Sequence, residues 1–258
     1  MLILGLTGGI ATGKSSVSKI FEEKYKLPII DADKIAREVV EPGNKAYDQI
    51  IKHFNPLIDN LVNDDKSLNR GALGSYVFSH RDELKVLNSI SHPAIRRRIL
   101  YLIWKEYING SSVVILDIPL LFESGMDWLC SRVLTISCNS QNQLERLLKR
   151  NKELTEDEAI NRINSQMKII DKVKKSDYFI DNDSSFEELE NSVEKFVKLN
   201  LPAIKVTNNN NNYSYMINSW WNYFQAIFPP FAILGIFNAT IRKSILKLKL
   251  RLTKTSLE

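Results

Sequence analysis

The chain opens on Met1-Leu-Ile-Leu-Gly-Leu6, six residues with no polar side chain on either alternating face. That is the pattern of a strand buried on both sides, as in a parallel sheet. Four later apolar runs have the same character: Leu27–Ile30, Val113–Asp117, Val133–Ser137 and Tyr178–Ile180. Between them apolar positions recur at helical spacing, beginning with Ser16–Tyr25. Strands alternating with helices predict an α/β fold with a five-stranded parallel sheet. The opening run has no basic leader and passes straight into a glycine-rich stretch, so a strand is expected there rather than a signal peptide.

The spacing of the runs is uneven. About eighty residues separate the second and third. They include the amphipathic stretches Leu84–Ile90 and Ile95–Ile108, which predict a helical insertion over about 41–110. His92-Pro93, lying between these stretches, predicts a rigid helix start. A second stretch, Gln143–Lys172, is charged and helical, and Thr155-Glu-Asp-Glu158 has the form of a capping box. The main domain is expected to cover 1–206.

Beyond it the pattern changes. Asn208–Asn212 is a low-complexity run and 207–212 is expected to be a linker. From Val206 to Ile241 there is no charged residue, and the stretch contains Trp220-Trp-Asn-Tyr-Phe224 and the nearly hydrocarbon Phe231–Phe237. Residues 213–258 are therefore expected to associate with a membrane surface, since Trp and Tyr favour the interface. Pro229-Pro230 leaves only 11 residues from Phe231 to Ile241, short of the roughly 20 that a spanning helix needs. A kinked span, an interfacial insertion, or an extra helix packed on the body all remain open. Ile245-Leu-Lys-Leu-Lys-Leu-Arg-Leu252 then alternates apolar and basic residues, which suits anionic lipid.

The net charge of +5 over 258 residues is located entirely in this tail. Residues 242–258 hold six basic side chains against Glu258, leaving 29 basic and 29 acidic residues before them. A neutral body argues against a nucleic-acid-binding fold. Cys130 and Cys138 fit no metal spacing and are read as reduced thiols, and His53, His80 and His92 have no partners at zinc-binding spacing.

The chemistry is concentrated after the first strand. Gly8-Gly9-Ile10-Ala11-Thr12-Gly13-Lys14-Ser15 matches G-x-x-x-x-G-K-[ST] between a predicted strand and a predicted helix, the context the motif requires. Its glycines let successive N–H groups turn inward onto phosphate oxygens. Lys14 supplies a cation for the β- and γ-phosphates, and Ser15 a hydroxyl for Mg²⁺. The guanine-type motif N-K-x-D is not met: Asn151-Lys-Glu-Leu154 ends in Leu. A second group, Asp31-Ala-Asp33, follows the second predicted strand and opens a helix running to Val40. Extended geometry would send both carboxylates to one side. One of them can accept a proton or hold a metal, or simply cap the helix.

Gly5-Leu-Thr-Gly-Gly-Ile-Ala-Thr-Gly-Lys-Ser15 and Asp31-Ala-Asp-Lys-Ile-Ala-Arg-Glu-Val-Val-Glu-Pro-Gly43 resemble dephospho-coenzyme A kinases. So do Ile90-Ser-His-Pro-Ala-Ile-Arg96, Leu116-Asp-Ile-Pro-Leu-Leu-Phe-Glu123, Glu158-Ala-Ile-Asn-Arg-Ile-Asn-Ser-Gln166 and Ile180-Asp-Asn182, in that order. The resemblance covers about residues 1–200. It implies a P-loop core for ATP, a helical insertion for the coenzyme A moiety and a mobile lid over 143–172. It also implies ATP and Mg²⁺ as cofactors and dephospho-coenzyme A as the substrate, phosphorylated on its ribose 3′-hydroxyl.

Carried over by position, Asp33 is the expected general base, Asp117 a strand-end carboxylate for Mg²⁺ through water, and Asn182 part of the adenine-side loop. Arg146, Arg150 and Arg162 lie in the lid stretch, where planar guanidinium groups match phosphoryl oxygens; Arg146 is expected to act in catalysis. Asp31, Arg37, Arg96, Arg150 and Arg162 are expected on the substrate. The C-terminal 50 residues depart from the bacterial pattern, whereas eukaryotic members tend to carry apolar tails. That implies a cytoplasmic enzyme attached to an intracellular membrane, mitochondrial outer membrane or endoplasmic reticulum, with possible association with other coenzyme A biosynthesis enzymes. Two other readings stay open. One is a different P-loop nucleoside or nucleotide kinase. The other is a membrane-tethered ATP-binding scaffold without activity, although Lys14, Ser15 and Asp33 are all present.

Overall fold

The computed structural model describes residues 1–201. All five predicted strands form, as β1 (Leu2–Gly8), β2 (Ile29–Asp31), β3 (Val113–Asp117), β4 (Arg132–Ser137) and β5 (Tyr178–Asp181). They make one sheet in the order β2-β3-β1-β4-β5. The pairs β1–β3, β1–β4 and β4–β5 are parallel. The helices are α1 (Lys14–Glu23), α2 (Ala32–Glu38), α3 (Lys45–Phe54), α4 (Arg70–Ser79), α5 (Arg81–Ile108), α6 (Ser140–Arg150), α7 (Glu156–Asn164), α8 (Ile169–Lys175) and α9 (Phe186–Asn200).

The chain divides into two compact units. The first takes Met1–Ile29 and the described residues from Glu106 onward. Strand β3 is buried at every position, as apolar runs covered on both faces require. Leu4, Leu6, Val113, Ile115, Leu134 and Ile136 share a core with Val17, Ile20 and Phe21 of α1 and Val193, Phe196 and Val197 of α9. The pleat sends alternate residues to the opposite face. There Thr135 bonds Ser176 just after α8, and the Thr7 hydroxyl donates to the Pro119 carbonyl at 2.9 Å.

The second unit, Ile30–Lys105, is helical. Ile50, Phe54, Leu61, Leu73 and Val77 form its core, with Val86, Leu87 and Ile90 packed against them. Arg98 pairs with Glu38 at 2.6 Å and Arg70 with Glu41 at 2.8 Å.

One expectation fails here. His92-Pro93 does not start a helix: α5 runs through it, with Pro93 inside. Proline removes the donor to the carbonyl four residues earlier and its ring crowds that carbonyl. That residue is Ser89, which is exposed, so water can serve it. Apolar contacts on both sides of the proline, at Val86, Leu87 and Ile90 before it and the fully buried Ile99 after it, hold the helix continuous.

Candidate active site

Strand β1 delivers the chain into Gly8–Ser15, and the loop there is tightly curled. Gly13 has φ 92° and Ala11 has φ 59°. A β-carbon on Gly13 would also run into the Asn182 side-chain amide, and one on Gly9 would lie 2.7 Å from Gln143 Nε2. The curl passes directly into α1, since the Ser16 amide bonds back to the Gly13 carbonyl at 3.0 Å. No side chain caps this helix. The Lys14 and Ser15 N–H groups ahead of that bond therefore remain available to an anion, the arrangement that binds phosphate.

Parallel pairing places the strand-end carboxylate beside the loop. Leu6 of β1 is in register with Asp117 of β3, and the Ile118 amide donates to the Leu6 carbonyl at 3.0 Å. Asp117 is 4% exposed and forms a close ion pair with Lys14. Ser15 is exposed at the mouth of the loop. A hydroxyl and a carboxylate are hard oxygen donors that fit Mg²⁺, an ion that keeps several waters and leans on substrate phosphates.

The structure adds residues to which the sequence assigned no role. The Gln143 side chain donates to the Ile10 carbonyl at 2.8 Å, and Gln166 accepts from the Ile10 amide at 2.9 Å. The tip of the loop is thus held through its backbone from both ends of the charged helical stretch. Asn182 donates to the Thr12 carbonyl at 2.9 Å, and Arg146 donates to the Asn182 carbonyl at 2.7 Å. Arg146 and Asn182, both expected from sequence, are therefore brought together beside the loop. Burial of the neighbouring Cys138 thiol pushes its pKa up to about 11, against the pull of Arg146, so Cys138 stays a neutral thiol. Neither cysteine forms a disulfide, and both are buried.

Behind the loop lies Lys172, fully buried. It donates to the Pro119 carbonyl at 2.8 Å and to the Gly8 carbonyl at 3.4 Å, and it pairs with Glu123 at 2.9 Å. Burial alone would raise the Glu123 pKa. The Lys172 ammonium outweighs it, with help from backbone amides including that of Met167, and the carboxyl lies below its ordinary range. Glu123 and Gln166 both fall within motifs quoted above. Lys172 carries no signal in sequence beyond being one of several lysines in α8.

Of the remaining expected residues, Arg150 is exposed at the end of α6 and donates to Asn151 at 3.2 Å. Arg162 is exposed in the last turn of α7, and the capping box at Thr155 that starts this helix is complete. In the helical unit, Asp33, Arg37 and Arg96 are exposed. Asp31 and Asp33 do not share an extended face. Helix α2 begins between them, and Asp31 caps it, accepting from the amides of Asp33 and Lys34 at 2.9 and 3.0 Å. A carboxylate two residues ahead of the first free amides is better satisfied there than in an extended turn.

A curled phosphate loop on a parallel sheet, with its lysine against a carboxylate from the adjacent strand end, defines the P-loop kinase class. Residues 2–188 match the family model CoaE, dephospho-CoA kinase. The dephospho-CoA kinase CAB5 of Saccharomyces cerevisiae is 50% identical over 203 residues, which are 79% of this chain and 84% of that protein. The dephospho-CoA kinase of Oceanobacillus iheyensis is 48% identical over 76% of this chain and 98% of its own length. Among solved structures, a dephospho-CoA kinase from Campylobacter jejuni superposes with a TM-score of 0.61 at 29% identity, covering 76% of this chain and 95% of that one. The chain belongs to the dephospho-CoA kinase family.

Proposed function

We propose that this chain transfers the γ-phosphoryl group of ATP to the ribose 3′-hydroxyl of dephospho-coenzyme A, giving coenzyme A and ADP, the last step of coenzyme A biosynthesis. The observation that carries the reading is the family match across residues 2–188, which contains a complete loop with Lys14 seated on Asp117. The backbone amides of Gly8–Ser15 and the open end of α1 hold the phosphates. Asn182 orders the loop on the adenine side. Lys14 follows the charge that moves onto the β–γ bridge and the equatorial oxygens, and Arg146 adds a guanidinium close by. Asp33, on the first turn of α2, accepts the proton of the attacking hydroxyl. Arg37 and Arg96 of the helical unit, and Arg150 and Arg162 of the lid, receive the acceptor's phosphates. Asp31 serves by capping α2 rather than by touching substrate. Ser15 and Asp117 would hold Mg²⁺, which when bound neutralises phosphate charge.

The stretch 143–172 is proposed to close over the nucleotide and exclude water. Its ends are tied to Ile10 through Gln143 and Gln166, so the part free to move lies between them. Limited proteolysis should cut between Leu144 and Ser165 in the ligand-free protein, with protection when both substrates are present. Equal cleavage in the two states would remove the lid.

The linker and tail, 207–258, lie outside the described residues. Among the described residues no helix is long and apolar enough to cross a membrane. The reading that 213–258 attach a cytoplasmic enzyme to an intracellular membrane rests on the uncharged aromatic run and the basic alternation after it, as does any association with other coenzyme A enzymes at that membrane. One experiment tests both proposals. Full-length protein and a version ending at Thr207 are incubated with Mg²⁺-ATP and either dephospho-coenzyme A or a panel of nucleosides. Both should produce coenzyme A by mass, with nucleosides poor acceptors. Only the full-length form should pellet with membranes. A nucleoside preferred over dephospho-coenzyme A, or no transfer at all, overturns the activity. A full-length protein that is monodisperse without detergent overturns the membrane attachment alone.

A further inference from the structure

A lysine with no exposed surface is costly unless each of its donors is met. Lys172 has three, and three acceptors surround it: the Gly8 carbonyl, the Pro119 carbonyl and the Glu123 carboxylate. Each belongs to a different working part. Gly8 ends β1 and starts the phosphate loop. Pro119 lies two residues beyond Asp117, and its carbonyl also accepts from Thr7. Glu123 accepts from the Met167 amide at 3.0 Å, one residue after the Gln166 that holds Ile10. Well-packed apolar groups would fill the same space at no electrostatic cost. What they could not do is fix two carbonyls and a carboxylate from the phosphate loop and the loop after β3 around one point.

We propose that Lys172 is a positioning residue for phosphoryl transfer: through the Gly8 and Pro119 carbonyls it fixes the spacing of the loops that carry Lys14 and Asp117. Glu123 is its counter-charge and ties the same point to the foot of the lid. The proposal rests on the kinase reading above. Lys172 and Glu123 act through the loops they hold rather than on the phosphates directly.

The test compares wild type, Lys172→Met and Lys172→Met/Glu123→Gln for kcat, KM and melting temperature. Methionine keeps the length of the aliphatic stem but lacks the ammonium and leaves Glu123 charged without its counter-charge, so melting temperature falls. Adding Glu123→Gln removes that charge and should restore most of the lost stability. It cannot restore the hold on the two carbonyls. In both variants kcat should fall about tenfold or more with KM for ATP within about threefold, since small misplacement near the reacting groups is expensive. Recovery of kcat together with melting temperature in the double variant makes the lysine merely structural and overturns the proposal, as does a smaller loss of kcat in either variant. Should Lys172→Met not fold, the double variant is judged alone by the same threshold. Wild-type protein that makes no coenzyme A would instead sink the kinase reading, which keeps the two failures apart.

Discussion

Lys14→Ala should abolish nearly all transfer, lowering kcat by about 10³-fold or more, in the range seen when a cation on the transferring phosphoryl group is removed. The loop backbone would survive, because its curl is set by Gly13, Ala11 and the bonds to Ile10 and Thr12 rather than by the lysine side chain. The variant has a second effect. Asp117 is 4% exposed and pairs with Lys14, so truncation leaves a buried carboxylate alone. Breaking a buried pair this way costs roughly 3 kcal/mol or more, and the melting temperature of the ligand-free protein should drop. Lys14→Ala/Asp117→Asn separates the two effects. It should regain stability, because the uncompensated charge is gone, while transfer stays down, because the lysine cation is still missing and Asp117 no longer offers a carboxylate for Mg²⁺. Retention of more than roughly a tenth of wild-type kcat in Lys14→Ala would contradict the role assigned to this residue.

Why this site could be foreseen, and parts of it could not, follows from how far each interaction reaches along the chain. The phosphate loop is local physics: eight consecutive residues set the curl, the open helix end and the lysine. The strands were legible for the same reason, since burial on both faces leaves apolar runs such as Val113–Asp117, which the structure reproduces at both ends. The neighbouring β1 and β4 shift by a residue or two at their ends, where hydrogen bonding rather than side-chain pattern decides. Helix α5 departs from its sequence pattern because packing on both sides of Pro93 carries the helix through a residue that locally favours a helix start. Asp31 and Asp33 do not pair on one face because the extended geometry ends at Asp31 and the helix starts at Ala32.

Gln143, Gln166 and Lys172 were out of reach for a different reason. Apart from Glu123, which pairs with Lys172, their partners are backbone groups of Ile10, Gly8 and Pro119, and a backbone amide or carbonyl leaves no trace in sequence. The resemblance quoted Gln166 and Glu123 inside motifs, yet a motif names residues without saying what they hold. Arg146 shows the mixed case. Its position in the charged stretch is legible in sequence, but its contact is the Asn182 carbonyl, so in the ligand-free protein it orders the loop next to the phosphate site.

Asp33→Asn should cut the rate of transfer by about 10²-fold or more while leaving ATP affinity nearly unchanged, the signature of a lost general base. Asparagine is the same size and stays compatible with the first turn of α2, so the helix should persist. The control is built into the fold. Asp31 caps α2 through the amides of Asp33 and Lys34, and asparagine caps as well as aspartate. Asp31→Asn should therefore be nearly silent in both stability and rate. Asp31→Ala should cost about 1 kcal/mol of stability through the lost cap, with a rate loss far below that of Asp33→Asn. Single-turnover transfer with saturating ATP and dephospho-coenzyme A, beside equilibrium nucleotide binding, distinguishes the outcomes. A collapse of ATP affinity in Asp33→Asn would make Asp33 a metal or structural residue. A rate loss in Asp31→Asn equal to that in Asp33→Asn would move the proton acceptor off Asp33 and require Asp31 to leave its cap when substrate binds.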